Sequence, residues 1–339
     1  MSAVADKGGG DFQGIKLLLC ENPLPPIEEA IAAAQAEARR GNYYTEPYSA
    51  PLRELIAAKI GVPERHVHIN AGSELILRQL FGQLGSRVHL LTPTYALFPE
   101  IARFHSETRL RAEEDFSFDL ARLKIPPDAT LVVIVNPNNP NGGTFDMAPL
   151  PRLLEEHPGV FFLVDEAFIG LSGRSVAPWV PRYRNLLVTR TFSKAESLAG
   201  FRVGYAILPE TLADDLNTHN DAYPLARPSQ AAAIATLQHE DKIRARTLQL
   251  RFWARELAAQ LRTLGVRTFP SETHFFLADF APRDADTIAG SLRKRKILLK
   301  PLNDPRLGPG YMRVTTATPE DNARFVLALK ELLRESRET

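Results

Sequence analysis

The chain has 339 residues, enough for two packed units in one subunit, and 44% of them are hydrophobic against 24% charged, so a sizeable core is available. Its 41 basic side chains nearly cancel its 40 acidic ones, which leaves no excess field for nucleic acid or an anionic membrane. Cys20 is the only cysteine, so neither an internal disulfide nor a thiolate zinc cluster can form, and a reducing cytoplasm is the expected compartment.

In chain order, "MSAVADKGGGDFQG" lacks an apolar h-region and is expected to fray, and apolar runs such as "LVVIV" are too short to span a bilayer. "NPLPPIEEAIAAAQAEARRG" predicts a helix with Pro before it and Gly41 after it. "HVHIN" (66–70), "RVHLLTP" (87–93), "TLVVIVN" (130–136), "VFFLVDE" (160–166), "NLLVTRT" (185–191) and "RVGYAIL" (202–208) read as strands. Between them "SELILRQLFGQL" and "MAPLPRLLEEH" read as helices, and residues 228–264 read as one long helical stretch. Strands near "HFFLADF" and "YMRVTTA" and a closing helix from Pro319 follow. This alternation predicts an α/β fold with a mostly parallel central sheet and helices on both faces. The expected division is a large domain over 41–228 and a smaller α+β domain over 229–339, joined by the segment 1–40.

Three predicted strands run straight into polar clusters: "VIV" into "NPNNPNGG", "FFLV" into "DEA", and "LLVTR" into "TFSK". In a parallel sheet these lie along one carboxyl edge, where open α/β sheets bind ligands. A lysine, an aspartate and an asparagine meeting there, with hydroxyls and an arginine beside them, suit a ligand with an aldehyde, a ring nitrogen and a phosphate. Pyridoxal 5'-phosphate has all three. Taken singly, Lys194 reads as a surface residue, Thr191 and Ser193 as helix caps, Asp165 as a cap and Asn139 as a turn residue. No G-x-x-x-x-G-K-[ST], G-x-G-x-x-G, H-E-x-x-H or G-x-S-x-G occurs. His66 and His68 share one strand face and are able in principle to chelate a metal; a solvated face is the plainer reading.

From "CENPLPP" to "MRVTTATPEDN", and most densely in "NPNNPNGG", "LVDEAF" and "RTFSKAESLAGFRVGY", the chain resembles the fold type I pyridoxal-phosphate aminotransferases, in particular the histidinol-phosphate aminotransferase group. The resemblance implies that Lys194 is the Schiff-base lysine, that Asp165 pairs with the pyridine nitrogen, and that Asn139 bonds the phenolic oxygen. It assigns the phosphate to Thr191, Ser193 and Arg202. Gly72 and Ser73 open a predicted helix whose unpaired N–H groups attract a phosphate, though an ordinary helix start reads the same. Tyr95 is expected to stack on the ring or to be a core aromatic. The resemblance further implies a homodimer in which Tyr44, or its neighbour Tyr43, reaches the other subunit's cofactor, the plain alternative being a local turn. It gives Arg313 the substrate carboxylate or phosphate, where a planar fork of donors suits either anion, and adds Asn22 and Lys300 to the substrate contacts.

Some positions depart from the family pattern. Phe168 stands where many relatives carry a tyrosine, Lys300 where many carry a second arginine, and Glu196 and Ser197 where apolar or glycine residues are common. The acid at 196, if near the substrate mouth, is expected to disfavour a phosphorylated substrate. "DEAF" also resembles the threonine-phosphate decarboxylases. The expected activity is amino transfer between an amino acid or phosphorylated amino alcohol and a 2-oxo acid such as 2-oxoglutarate. Decarboxylation is the alternative, and a non-catalytic cofactor-binding protein a third reading that the retained Lys194, Asp165 and Asn139 disfavour.

Overall fold

The computed structural model describes residues 12–338, so most of the leader expected to fray lies outside them. In chain order the strands are β1 (Ile15–Lys16), β2 (Val67–Asn70), β3 (Val88–Thr92), β4 (His105–Arg109), β5 (Leu131–Val135), β6 (Phe161–Asp165), β7 (Leu186–Thr191), β8 (Gly204–Ile207), β9 (Arg267–Thr268), β10 (Phe275–Asp279), β11 (Ile297–Leu298), β12 (Lys300–Pro301) and β13 (Tyr311–Thr315). The helices are α1 (Glu28–Ala38), α2 (Ala50–Ile60), α3 (Ser73–Leu84), α4 (Leu97–Ile101), α5 (Leu150–Glu156), α6 (Glu210–Thr218), α7 (Arg227–Gln238), α8 (Glu240–Thr263), α9 (Ala285–Lys294) and α10 (Pro319–Glu338).

A seven-stranded sheet in the order β2-β8-β7-β6-β5-β3-β4 forms the centre. The pairs from β7 to β4 are parallel, and β8 runs antiparallel to both β7 and β2. Alternate residues of the apolar strands enter two different cores. Val132, Ile134, Phe162, Val164 and Val188 face one, while Leu131, Val133, Val135, Leu163 and Leu187 face the other. Helix α3 covers the second face through Ile76, Leu77, Leu80 and Phe81, spaced as one helical stripe. A separate antiparallel sheet, β12-β13-β10-β9, packs with α8, α9 and α10 around a third core. That core takes in Ile15 and Leu17, and β1 pairs parallel with β11, so the N-terminal segment is built into the C-terminal unit.

Three differences from the sequence reading have physical causes. The long helical stretch is broken at His239, whose φ of −124° and ψ of 47° separate α7 from α8. Helix α7 buries small residues, Ala232, Ala233 and Ala235, in the large-sheet core, whereas α8 turns Leu257 and Leu261 into the C-terminal core. Strand β4, "HSETR", is an exposed edge without apolar period, which is why hydrophobic patterning does not find it. His66 and His68 do not lie on a solvated face: both are buried, His66 Nδ1 bonding Leu208 O at 2.7 Å and His68 bridging Asn217 and Gln79. They tie β2 to its neighbours, and no group of three metal-ligating side chains occurs among the described residues.

Candidate active site

The carboxyl edge of the central sheet gathers the polar clusters through strand register. β6 and β7 pair with Asp165 opposite Thr189, and Thr189 Oγ1 donates to Asp165 Oδ1 at 3.0 Å. Thr191, two residues on, shares that face of β7; its hydroxyl donates to Ser193 Oγ at 2.9 Å and accepts from Ser193 N at 3.1 Å. Because β8 is antiparallel, its start lies beside the end of β7, Gly204 opposite Thr191. The two residues before β8 therefore reach the same edge, and Arg202 is one of them. Asn70, at the end of β2, also pairs with Gly204, which brings the N-terminus of α3 alongside.

That junction leaves no room for side chains. A Cβ on Gly204 would lie 2.1 Å from Ser73 N, and one on Gly72, at φ 90°, would lie 2.6 Å from Arg202 Nη2. Gly72 thus lets the exposed Arg202 guanidinium close on the start of α3. Together the first turn of α3, the Thr191 and Ser193 hydroxyls and Arg202 form a cradle suited to an anion.

Asp165 is buried, and no cation is paired with it among the described residues; burial pushes its carboxyl up to about 6 against the donors Thr189 and the Ala167 backbone. The half-buried Lys194 donates from Nζ to Leu19 O at 2.9 Å and has its Nζ 5.7 Å from the centre of the Phe168 ring. Burial lowers its pKa, with Arg313 and Arg202 adding to the effect and Cys20 and Glu21 opposing it. Arg313 is buried without a carboxylate partner among the described residues: Nη1 donates to Asn139 Oδ1 at 2.8 Å, Nη2 to Leu18 O, and Nε has no partner. Tyr95 sits edge-on to Phe98 and is pushed up to about 12 by burial, with Glu74 and then Asp165 adding to the rise.

Other expected residues fall differently. Asn22 donates from Nδ2 to the carbonyls of Lys194 (3.1 Å) and Ala195 (3.2 Å), while its Oδ1 accepts from Leu24 N. These bonds brace the loop that carries Lys194. Glu196 lies near Gly170 and is pushed up to about 7 by burial; the charges acting on it are Arg190 and Glu240. Arg313 is not among the charges that act on it. Lys300 is in register with Arg313 across β12 and β13, so both project from one sheet face. Tyr43 and Tyr44 are 65% and 78% exposed, and Tyr44 stacks on Tyr223 at 4.4 Å, so a single chain does not bring it to Lys194.

Comparison with known proteins settles the family. The family Aminotransferase class I and II matches residues 14–329. The chain is 33% identical to histidinol-phosphate aminotransferase 2 of Rhizobium meliloti, over 94% of this chain and 93% of that one. It is 30% identical to histidinol-phosphate aminotransferase of Rippkaea orientalis, over 94% and 92%. The chain belongs to the class I and II aminotransferases. Two solved structures share the fold at lower identity. One is a histidinol-phosphate aminotransferase from Sinorhizobium meliloti in complex with pyridoxal-5'-phosphate (TM-score 0.83, 22% identity, 98% of this chain and 94% of that one). The other is L-threonine-O-3-phosphate decarboxylase from Porphyromonas gingivalis (TM-score 0.84, 21%, 94% and 99%).

The cofactor of this aminotransferase is pyridoxal 5'-phosphate, and the residues present suit it. A buried carboxylate without a cation calls for a protonated ring nitrogen, a buried guanidinium with an unpartnered Nε calls for an anion, and the Gly72–Arg202 contact leaves a cradle for a phosphate. Sequence reasoning missed two residues of the aminotransferase site. Thr189 could have been found, since "VTRT" places it on the same face as Thr191. His274, fully buried, bonds the Cys20 carbonyl through Nε2 at 3.1 Å; only its place at the head of a strand signalled it.

Proposed function

We propose that this aminotransferase moves an amino group between a small amine or amino acid that carries a phosphate, of the histidinol-phosphate kind, and a 2-oxo acid such as 2-oxoglutarate. The observation that carries the reading is a pair of buried charged residues without an ion-pair partner among the described residues, Asp165 at the end of β6 and Arg313 on β13, both of which act on Tyr95, while Arg313 also acts on Lys194. The names of the relatives at 30% identity and above support the phosphate-bearing amine as substrate.

In this reading Lys194 would hold the cofactor through its aldehyde carbon, with loss of water, and its lowered pKa favours the neutral amine that such a bond requires. Asp165, oriented by Thr189, keeps the proton on the ring nitrogen. Asn139, braced by Arg313, donates to the phenolic oxygen, while Thr191, Ser193, Arg202 and the α3 N-terminus at Gly72 and Ser73 hold the phosphate. Tyr95 covers the ring. Bound pyridoxal phosphate supplies an electron sink for the charge left when a bond at the substrate's alpha carbon breaks. When not bonded to the cofactor, Lys194 would serve as the group that moves a proton to and from that carbon. Arg313, with Lys300 on the same sheet face, binds the substrate's anionic group.

The subunit is read as a large domain over 41–228 and a small one over 229–339, joined by 1–40, acting as a homodimer in which Tyr44 serves the partner's site. The exposed Tyr43, Tyr44 and Tyr223 support that surface as the interface. The lone Cys20 supports a cytoplasmic setting, and no described helix is long and apolar enough to cross a membrane. To test the substrate class, the cofactor's absorption is followed while glutamate, histidinol phosphate and threonine phosphate are added in turn and carbon dioxide is assayed. Conversion to the amine form without gas supports the proposal; gas release with the original band restored assigns decarboxylation instead.

A further inference from the structure

Three consecutive carbonyls of the N-terminal segment are each taken by a side chain from elsewhere in the chain. Leu18 O accepts from Arg313, Leu19 O from Lys194 Nζ at 2.9 Å, and Cys20 O from His274 Nε2 at 3.1 Å. Cys20 has φ 51°, the left-handed region that a residue with a β-carbon enters only at a cost, so something must hold it there. Asn22 ties the segment to the Lys194 and Ala195 carbonyls two residues further on. His274 is the side chain that bonds the carbonyl of the strained residue itself.

The imidazole earns its place through one atom. A carbonyl only accepts, so Nε2 carries the proton and Nδ1 is a bare acceptor, buried and without a donor among the described residues. The ring packs near Phe168 (6.2 Å between centres) and Phe275 (5.7 Å), and burial, then the Lys194 and Arg313 charges, push its pKa to about 3, so it stays neutral. If packing alone mattered, a hydrocarbon ring would avoid the unsatisfied Nδ1. What a hydrocarbon lacks is the Nε2–H on Cys20.

We propose that His274 is a positioning residue for Lys194: through the Cys20 carbonyl it fixes the left-handed turn that presents the Leu19 carbonyl to the lysine nitrogen, and so defines where the lysine rests when it is detached from the cofactor. The inference rests on the reading of Lys194 as the residue that joins the cofactor. Through that carbonyl, the turn favours the ammonium form of Lys194 and opposes burial, Arg313 and Arg202, which lower its pKa.

The test measures Lys194 itself in the full-length protein freed of cofactor. Trace acetic anhydride is applied across a pH range, and acetylation of the Lys194 peptide is read by mass spectrometry. In His274→Phe the midpoint is expected to fall by about one unit, with roughly tenfold faster labelling below it, because a hydrogen bond to the ammonium is lost. His274→Gln, which keeps a donor at the distance of Nε2, is expected to match the parent within about twofold. Should the phenylalanine variant not fold, His274→Asn, whose donor falls short of Cys20, takes its place with the same expected shift. Folded Phe or Asn variants with the parent's midpoint overturn the proposal, as does Gln shifting as far as they do. Transamination by Lys194→Ala separates the two claims: if turnover survives, the reading of Lys194 fails, and if it is lost while His274→Phe keeps the parent's midpoint, only the role of His274 fails.

Discussion

Thr189 and Asp165 face each other across β7 and β6, and among the described residues the 3.0 Å hydroxyl-to-carboxylate bond is the one side-chain hydrogen bond of that buried acid. Burial raises Asp165 from 3.8 to about 6, so without a cation its ionised form is favoured only above that pH. Cofactor affinity is therefore predicted to fall as pH drops through about 6. In Thr189→Val, which removes a donor that favours the carboxylate, that fall is predicted to move to higher pH, with affinity at neutral pH down by roughly three- to tenfold. Fluorescence titration with pyridoxal phosphate from pH 5 to 8 reads both.

The same shift has a consequence for stability. A carboxyl whose folded pKa lies above its unfolded value weakens the fold as pH rises between the two, here from 3.8 to about 6. Asp165→Asn is predicted to raise the melting temperature of the cofactor-free protein at pH 7.5 by a few degrees, while lowering turnover by on the order of a hundredfold or more. Scanning calorimetry and an assay on one preparation check the opposed effects.

Gly72 combines a φ of 90° with a Cβ position 2.6 Å from Arg202 Nη2. Gly72→Ala is predicted to displace the guanidinium, weaken cofactor binding about tenfold and cost about 1–2 kcal/mol of stability. Arg202→Ala removes the clash without the strain. Adding it to Gly72→Ala is predicted to cost little further affinity, a non-additivity measurable by a double-mutant cycle.

The exposed Tyr44 leads to a complementation experiment. If Tyr44 serves the partner's site, co-folding inactive Lys194→Ala with Tyr44→Ala creates mixed dimers with one native site. Random pairing then predicts recovery of about a quarter of parental activity. Absence of recovery in mixtures shown to exchange subunits rules out that arrangement.

Buried neutral histidines predict acid lability. His274, pushed to about 3 chiefly by burial, and His68, lowered by burial, must charge on unfolding. A depressed histidine contributes stability that is present above the unfolded value of 6.5 and is lost as pH falls below it toward the folded value. Chemical denaturation at pH 7.5 and 5 is predicted to show a loss at the lower pH that His274→Gln reduces.

Much of this site is legible in the sequence because chemistry and periodicity coincide there. "FFLVDE" and "LLVTRTFSK" announce both a buried strand and the polar residues at its end, and parallel pairing places those ends together. Arg202 depends on a feature patterning does not give, the antiparallel direction of β8. Apolar alternation looks the same in either direction. His274 and the carbonyls of Leu18, Leu19 and Cys20 were out of reach for a different reason: backbone groups carry no residue-type signal, and their partners lie more than 170 residues away. The split at His239 was hidden because α7 and α8 each keep a helical period while serving different cores.

The central claim is that Lys194 carries the cofactor at this edge. Borohydride reduction of the full-length protein loaded with pyridoxal phosphate, followed by peptide mapping, tests it most directly. The account predicts the reduced cofactor on the peptide that contains Lys194, in near-stoichiometric amount, and none in Lys194→Ala. Label on another lysine, or retained in Lys194→Ala, would contradict it.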